Sequence, residues 1–159
     1  MINAIRPNVW QLYFEDFGSC VYLIKLGRYI LIDSSSKENE EKLIEDLDIL
    51  NITPEEVSEI ILTHSHFDHI GNLHLFKNAK IYSAPKTDEI IKNFPEFKII
   101  ETPGHTRDGI CILYQDILFS GDTIFENGYI GRTDLPESDE TAMKKTLENY
   151  KKLYTERKI

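Results

Sequence analysis

The sequence predicts a layered α/β or α+β domain, and three observations carry that reading. Short runs rich in β-branched and aromatic residues fill the first third of the chain. Similar runs then alternate with segments of helical periodicity. Short turn signals between neighbouring runs mark antiparallel pairs. At 159 residues, 41% hydrophobic and 28% charged, the chain has the size of a single domain with an adequate core, expected to occupy residues 1–159.

The runs 9–14 (VWQLYF), 20–26 (CVYLIKL) and 29–33 (YILID) read as strands. Gly18 separates the first two and Gly27-Arg28 the next two, which gives an antiparallel meander at one sheet edge. Ser34-Ser35-Ser36 supplies N-cap candidates for a helix running to about Leu50, with Leu43, Ile44, Leu47 and Leu50 at helical spacing. Thr53-Pro54-Glu55-Glu56 caps a short turn with proline at its first helical position. Residues 59–62 (EIIL) form a compact strand of the buried type, ending at Thr63-His64. Beyond it, 81–83 and 97–100 read as strands around a short helix near 87–92. Residues 110–114 and 117–120 form a hairpin turning at Gln115-Asp116. A last helix runs from Glu140 to about Tyr154, with Met143, Leu147, Tyr150 and Leu153/Tyr154 at helical spacing.

Charge narrows the partners. Acidic residues outnumber basic ones 27 to 18, for a net charge of -9, so a nucleic acid or an anionic membrane is repelled by the average field. Cys20 and Cys111 make no disulfide framework; both sit in apolar runs and read as small buried hydrophobes, which suits a reducing compartment. No targeting segment or bilayer-length apolar stretch is evident, and the expected location is the cytoplasm.

The chemistry concentrates in His64-Ser65-His66-Phe67-Asp68-His69, directly after a strand. Imidazole and carboxylate are metal-ligand types. In an extended segment His64 and His66 face the same way and converge on one ion, while Asp68 and His69 lie one turn further on, toward a second position. Chance occurrence of such a motif in this composition is about 10⁻⁴ to 10⁻³ per chain. Thr102-Pro103-Gly104-His105-Thr106 adds a histidine after a Pro-Gly turn, and Ser120-Gly121-Asp122-Thr123 adds a carboxylate at the end of the next hairpin. Zinc, iron and manganese all accept such a nitrogen and oxygen set. His74 lies too far along to match a ligand position and reads as a surface residue.

THSHFDH followed by PGHT and GDT resembles the metallo-β-lactamase-fold hydrolases, over essentially the whole chain. Gly131-Arg132-Thr133-Asp134-Leu135 is similar to the glyoxalase II-like subgroup, although persulfide dioxygenases of the same superfamily carry a comparable segment. The resemblance implies an α+β architecture, an αββα sandwich with the site where strand-end loops meet. It implies that His64, His66 and His105 hold a first metal, Asp68 and His69 a second, and that Asp122 bridges them. Asp33 matches a supporting aspartate of the family, and equally suits a cap or turn. Thr63 and Thr106 flank ligands and are candidates to hydrogen-bond neighbouring carboxylates or backbone. Tyr129 and Arg132 are candidate substrate contacts, Arg132 either clamping a substrate carboxylate or holding its own loop through Asp134.

The implied activity is hydrolysis of a small-molecule thioester (of the hydroxyacyl-thioester kind) or a related activated acyl compound. A hydroxide held between two zinc ions attacks the carbonyl, with Asp68 orienting it or shuttling its proton. A thiol of pKa near ~8.5 leaves as thiolate without a dedicated acid. Alternatives are a mononuclear-iron persulfide dioxygenase using His64, His105 and Asp122, a lactonase, and a metal-binding protein without turnover. The last arises because family members carry a further histidine on a strand after the final helix, whereas here the sequence ends at Thr155-Glu156-Arg157-Lys158-Ile159. A final strand and any C-terminal helical substrate-binding domain are therefore expected to be lacking, and the sheet edge so exposed is compatible with a homodimer.

Overall fold

The structure, a computed structural model, describes residues 1–84 and 86–155, apart from the side chains of Leu153 and Tyr154. The chain divides into two compact units, Met1–Ser83 and Ala84 onward.

The first unit is built on a six-stranded mixed sheet in sequential order. Strands β1 (Ile2–Arg6), β2 (Val9–Leu12), β3 (Val21–Lys25) and β4 (Tyr29–Ile32) form the expected meander, extended by β1. Sequence patterning does not reveal β1, because a peripheral strand of pattern INAIR buries no side chain fully. The connection after β4 passes through a short 3₁₀ turn (Lys37–Asn39) into α1 (Glu40–Ile49), then through Pro54–Glu56 into β5 (Val57–Leu62). Thr53 and Glu56 close a capping box on that second turn. Strands β4 and β5 are parallel, as are β5 and β6 (Lys80–Ser83).

Core side chains obey the period of each element. Leu12, Val21, Leu23, Leu31, Ile60 and Leu62 pack with Leu43 and Leu47 of α1. Ile44 departs from the expected face: it is exposed, and the buried positions of α1 are Leu43, Asp46 and Leu47. The Ser34–Ser36 triplet departs too. None of its hydroxyls caps a helix end, because the residues are buried in contacts described below.

In the second unit a three-stranded antiparallel sheet joins β7 (Phe97–Glu101), β8 (Ile110–Tyr114) and β9 (Ile117–Phe119). Helix α3 (Thr87–Asn93) precedes the sheet and α4 (Glu140–Thr155) closes the described chain, with the four-residue α2 lying in the first unit at Phe67–Ile70. Phe94 and Phe97 stack at 5.6 Å, and Phe97 meets Tyr114 edge-on at 5.3 Å. Cys111 is core, as expected, and burial pushes its thiol pKa up. Cys20 is only half-buried. Gln115 has φ 56° at the hairpin turn. Met143 is buried on α4 with Leu147 and Tyr150 half-buried beside it; the expected Leu153 and Tyr154 contacts, and the tail from 156 where a missing strand was inferred, lie outside the described side chains and residues. Among the described residues no helix is long and apolar enough to cross a membrane.

Candidate metal centre

Parallel pairing explains the first cluster. Ile32 of β4 lies opposite Ile61 of β5, so both strands end at the same sheet edge, and the residues after them become neighbours. Asp33 then faces Thr63. Its backbone sits at φ 60°, a left-handed conformation that aspartate tolerates better than most residues.

The Asp33 carboxylate collects three donors: Thr63 N–H at 2.8 Å on Oδ1, with Thr63 Oγ1–H at 2.8 Å and His69 Nδ1–H at 2.8 Å on Oδ2. Proton bookkeeping then fixes two imidazoles. A carboxylate only accepts, so His69 carries its proton on Nδ1 and presents Nε2 as the basic nitrogen. Thr63 gives its single hydroxyl proton to Asp33, so its oxygen accepts from His64 Nδ1 at 3.1 Å, and His64 also presents Nε2. One carboxylate orients one histidine directly and another through a threonine. That is the environment in which imidazole binds a metal. The rings cluster, His64 lying 4.7 Å from His66 and 4.0 Å from His69 between centroids.

Backbone contacts pin this loop. His69 C=O accepts from Ser34 N–H at 2.7 Å and from Ser34 Oγ at 3.0 Å. Asn72 Nδ2 donates to Ser34 O at 2.8 Å and Ser36 O at 2.7 Å. Gly71 is required by close approach: a Cβ there would stand 2.4 Å from Lys37 N. Ser35 O also accepts from Gly71 N–H at 2.8 Å, and Asn39 Nδ2 donates to Ser35 Oγ at 3.0 Å and Ser36 Oγ at 3.2 Å, so Ser34, Ser35, Ser36, Asn39 and Asn72 brace the histidine loop in a way sequence reasoning missed. The available signal was a run of small polar residues after a strand, which read as helix caps instead.

The second unit repeats the logic differently. Strands β7 and β9 flank β8 antiparallel to it, so their C-terminal ends share one end of the sheet. The loops that follow carry His105 and Asp122, and His105 Nε2 stands 3.3 Å from Asp122 Oδ2. That separation matches the edge of a tetrahedron with ligand bonds of about 2.0–2.1 Å. His105 Nδ1–H donates to the Arg132 carbonyl at 2.8 Å, which again makes Nε2 the basic nitrogen. Gly131 forms the cradle: a Cβ there would fall 1.9 Å from Asp122 O and 3.1 Å from the His105 ring. Gly104, at φ 150°, lies against Met143 of α4, and Thr146 Oγ1 donates to Pro103 O at 2.7 Å.

The remaining candidates are placed as follows. Asp68 is half-buried, its Oδ2 4.0 Å from His69 Nε2. Thr106 is buried, and its Oγ1 has no hydrogen-bond partner among the described residues. The Arg132 guanidinium forks onto Asp134 with two 2.9 Å bonds, which hold the Asp134 carboxyl below its ordinary pKa. Tyr129 is exposed. His74 lies at the surface against Glu40 at 3.2 Å, away from the cluster as expected.

These donors fit a divalent ion: imidazoles of fixed tautomer and carboxylates, at the ends of strands, in each unit. Residues 13–97 match the model of the Metallo-beta-lactamase superfamily, and the chain belongs to that superfamily. It is 42% identical over 101 residues to a probable metallo-hydrolase of Methanocaldococcus jannaschii, across 58% of this chain and 50% of that protein. A hydroxyacylglutathione hydrolase of Serratia proteamaculans is 31% identical over 143 residues, covering 80% of this chain and 51% of the relative. The chain thus spans about half the length of these two relatives. Among solved structures, that of TTHA1623 in a di-iron-bound form superposes with a TM-score of 0.69 at 21% identity, over 88% of this chain and 84% of that one. It shares the metallo-beta-lactamase fold, and the α+β expectation holds.

Proposed function

We propose that the protein is a divalent-metal hydrolase of thioesters, with His64, His66 and His105 holding one ion, Asp68 and His69 a second, and Asp122 bridging. The observation that carries the reading is the Asp33 carboxylate, which sets the tautomers of His69 and His64 together. Nothing in a solvated polar loop demands that arrangement, whereas metal ligation does. A hydroxyacylglutathione hydrolase among the relatives supports the thioester, and a di-iron-bound structural relative supports a paired site. Zinc is the expected metal, with iron and manganese as the other candidates.

When bound, a divalent ion supplies Lewis acidity and makes water a nucleophile near neutral pH. The chain's own residues do the rest. Asp33 and Thr63 hold His64 and His69 in one orientation, and the Arg132 carbonyl does so for His105. Asp68 Oδ2 accepts the proton that the attacking water loses and passes it to solvent, while the C–S bond breaks and the thiol departs as thiolate without a dedicated acid. Tyr129 and Arg132 are the proposed substrate contacts, and the proposed location is the cytoplasm.

The test is hydrolysis of a panel of acyl thioesters and lactones by protein reconstituted with zinc, iron or manganese. Thioester cleavage that chelator abolishes and metal restores is the expected result. Oxygen uptake on a persulfide by a one-iron form, or lactone cleavage alone, would overturn the thioester reading.

A further inference from the structure

A cavity of about 220 Å³ lies in the second unit, and no residue described as lining it is one of the proposed metal ligands. Buried Ala84 and Ile110 and half-buried Pro103 give it apolar walls. Three charged residues of both signs stand around them: Arg107, Asp108 and Glu101. Elsewhere in this unit opposite charges close on each other. Arg132 forks onto Asp134 at 2.9 Å, and Lys144 reaches Glu140 at 2.7 Å. Arg107 behaves differently: it shares a cavity with two carboxylates, yet its side chain pairs with neither, nor with any other described residue. The Thr87 hydroxyl, also on the lining, has no hydrogen-bond partner among the described residues.

A guanidinium presents a planar fork that matches a carboxylate, and a carboxylate only accepts, so it takes an ammonium. Because the two signs do not cancel each other here, each stays available to the opposite group of a ligand. A simple anion would meet two carboxylates and a simple cation a guanidinium, so neither suits the whole lining. The volume falls below the ~300–1,000 Å³ of drug-sized sites, which selects a small occupant. We propose that this cavity binds a small free α-amino acid, with its carboxylate on Arg107 and its ammonium on Glu101 and Asp108. The apolar walls take a short side chain. Pro103 and Arg107 lie on either side of His105 in sequence, so the occupant touches both shoulders of the loop that carries this proposed ligand. The site stands whether or not the protein cleaves thioesters.

The experiment is an amide NMR titration of metal-loaded full chain with L-alanine, propionate, ethylamine and the dipeptide alanylalanine. L-Alanine should shift the amides of Glu101 and of residues 107–110. It should bind about tenfold or more tightly than propionate or ethylamine, each of which lacks one charge-assisted contact. Alanylalanine, whose two charges lie on different residues, should bind more weakly than L-alanine. Arg107→Gln should weaken L-alanine by about tenfold or more, and the double variant Glu101→Gln, Asp108→Asn by a similar factor. Both variants should keep the wild-type spectrum elsewhere, because these side chains hold no internal bond. Shifts confined to the histidine motif would mark chelation at the metal centre and overturn the proposal. An L-alanine Kd unchanged in Arg107→Gln would do the same, as would equal affinity for all four probes or no saturable shift at 101 and 107–110. Tighter binding of alanylalanine would assign the cavity to peptides and overturn the free amino acid.

Discussion

The two clusters solve one problem by different means. In the first unit, histidine orientation comes from a side chain: Asp33 reaches His69 directly and His64 through Thr63. In the second, it comes from the main chain: the Arg132 carbonyl holds His105, and Gly131 gives Asp122 its room. A side-chain acceptor is removed by a point substitution. A backbone acceptor is not, and is disturbed only by displacing the loop that carries it. Alanine substitution should therefore weaken metal binding at Asp33 and spare it at Arg132.

The largest effect is expected at Asp33. Asp33→Ala leaves two Thr63 donors and the His69 Nδ1–H without their acceptor, at about 1–3 kcal/mol for each buried group left unsatisfied. Urea unfolding should show a loss of about 3–5 kcal/mol, and metal affinity should fall by about 10- to 100-fold. Asp33→Asn keeps the left-handed backbone and part of the stability, but its amide supplies a donor where two are already aimed. It should recover stability better than metal binding.

Gly131→Ala comes next. Its Cβ has no room beside Asp122 O, and overpacking of this kind costs about 1–3 kcal/mol. Metal titration should show weaker binding, because Asp122 and His105 are displaced together. Arg132→Ala, one residue on, should leave metal per chain unchanged, since its carbonyl persists. Only the exposed fork to Asp134 is lost, and the Asp134 carboxyl pKa, followed by NMR, should rise toward its ordinary value. A drop in metal content for Arg132→Ala comparable to that for Asp33→Ala would erase the contrast.

The smallest effect lies in the pH profile. Burial, with Cys20 as the next cause, pushes the Tyr22 phenol up to about 12 from its ordinary 10. The folded state keeps a proton that the unfolded chain releases first, so this contribution is intact below about pH 10 and is lost between about 10 and 12. The urea midpoint should fall across that window, and more gently in Tyr22→Phe.

Much of this was legible in the sequence, for reasons that differ by element. Strands β3, β4 and β8 carry dense apolar runs, and Thr53–Glu56 carries its capping box in plain residue types. The histidine motif stands out because its residue types are rare and closely spaced. What escaped detection depends on partners distant in sequence. Strand β1 is defined by pairing rather than burial. The Ser34–Ser36 triplet looks like a cap until Asn72 and His69 arrive from some 35 residues away. Gly131 is legible in the sequence only as part of the motif at 131–135, until Asp122 is seen against it. Residue type marks the donors, but only three-dimensional contact shows what orients them.

The central claim is the proposed ligand assignment, in which His105 as well as His66 holds metal, and His105→Ala tests it most directly. Metal per chain should be measured after exhaustive dialysis for wild type, His66→Ala and His105→Ala side by side. Both variants are expected to lose metal to a similar degree. Retention of wild-type stoichiometry and affinity in His105→Ala, with loss in His66→Ala, would contradict the claim.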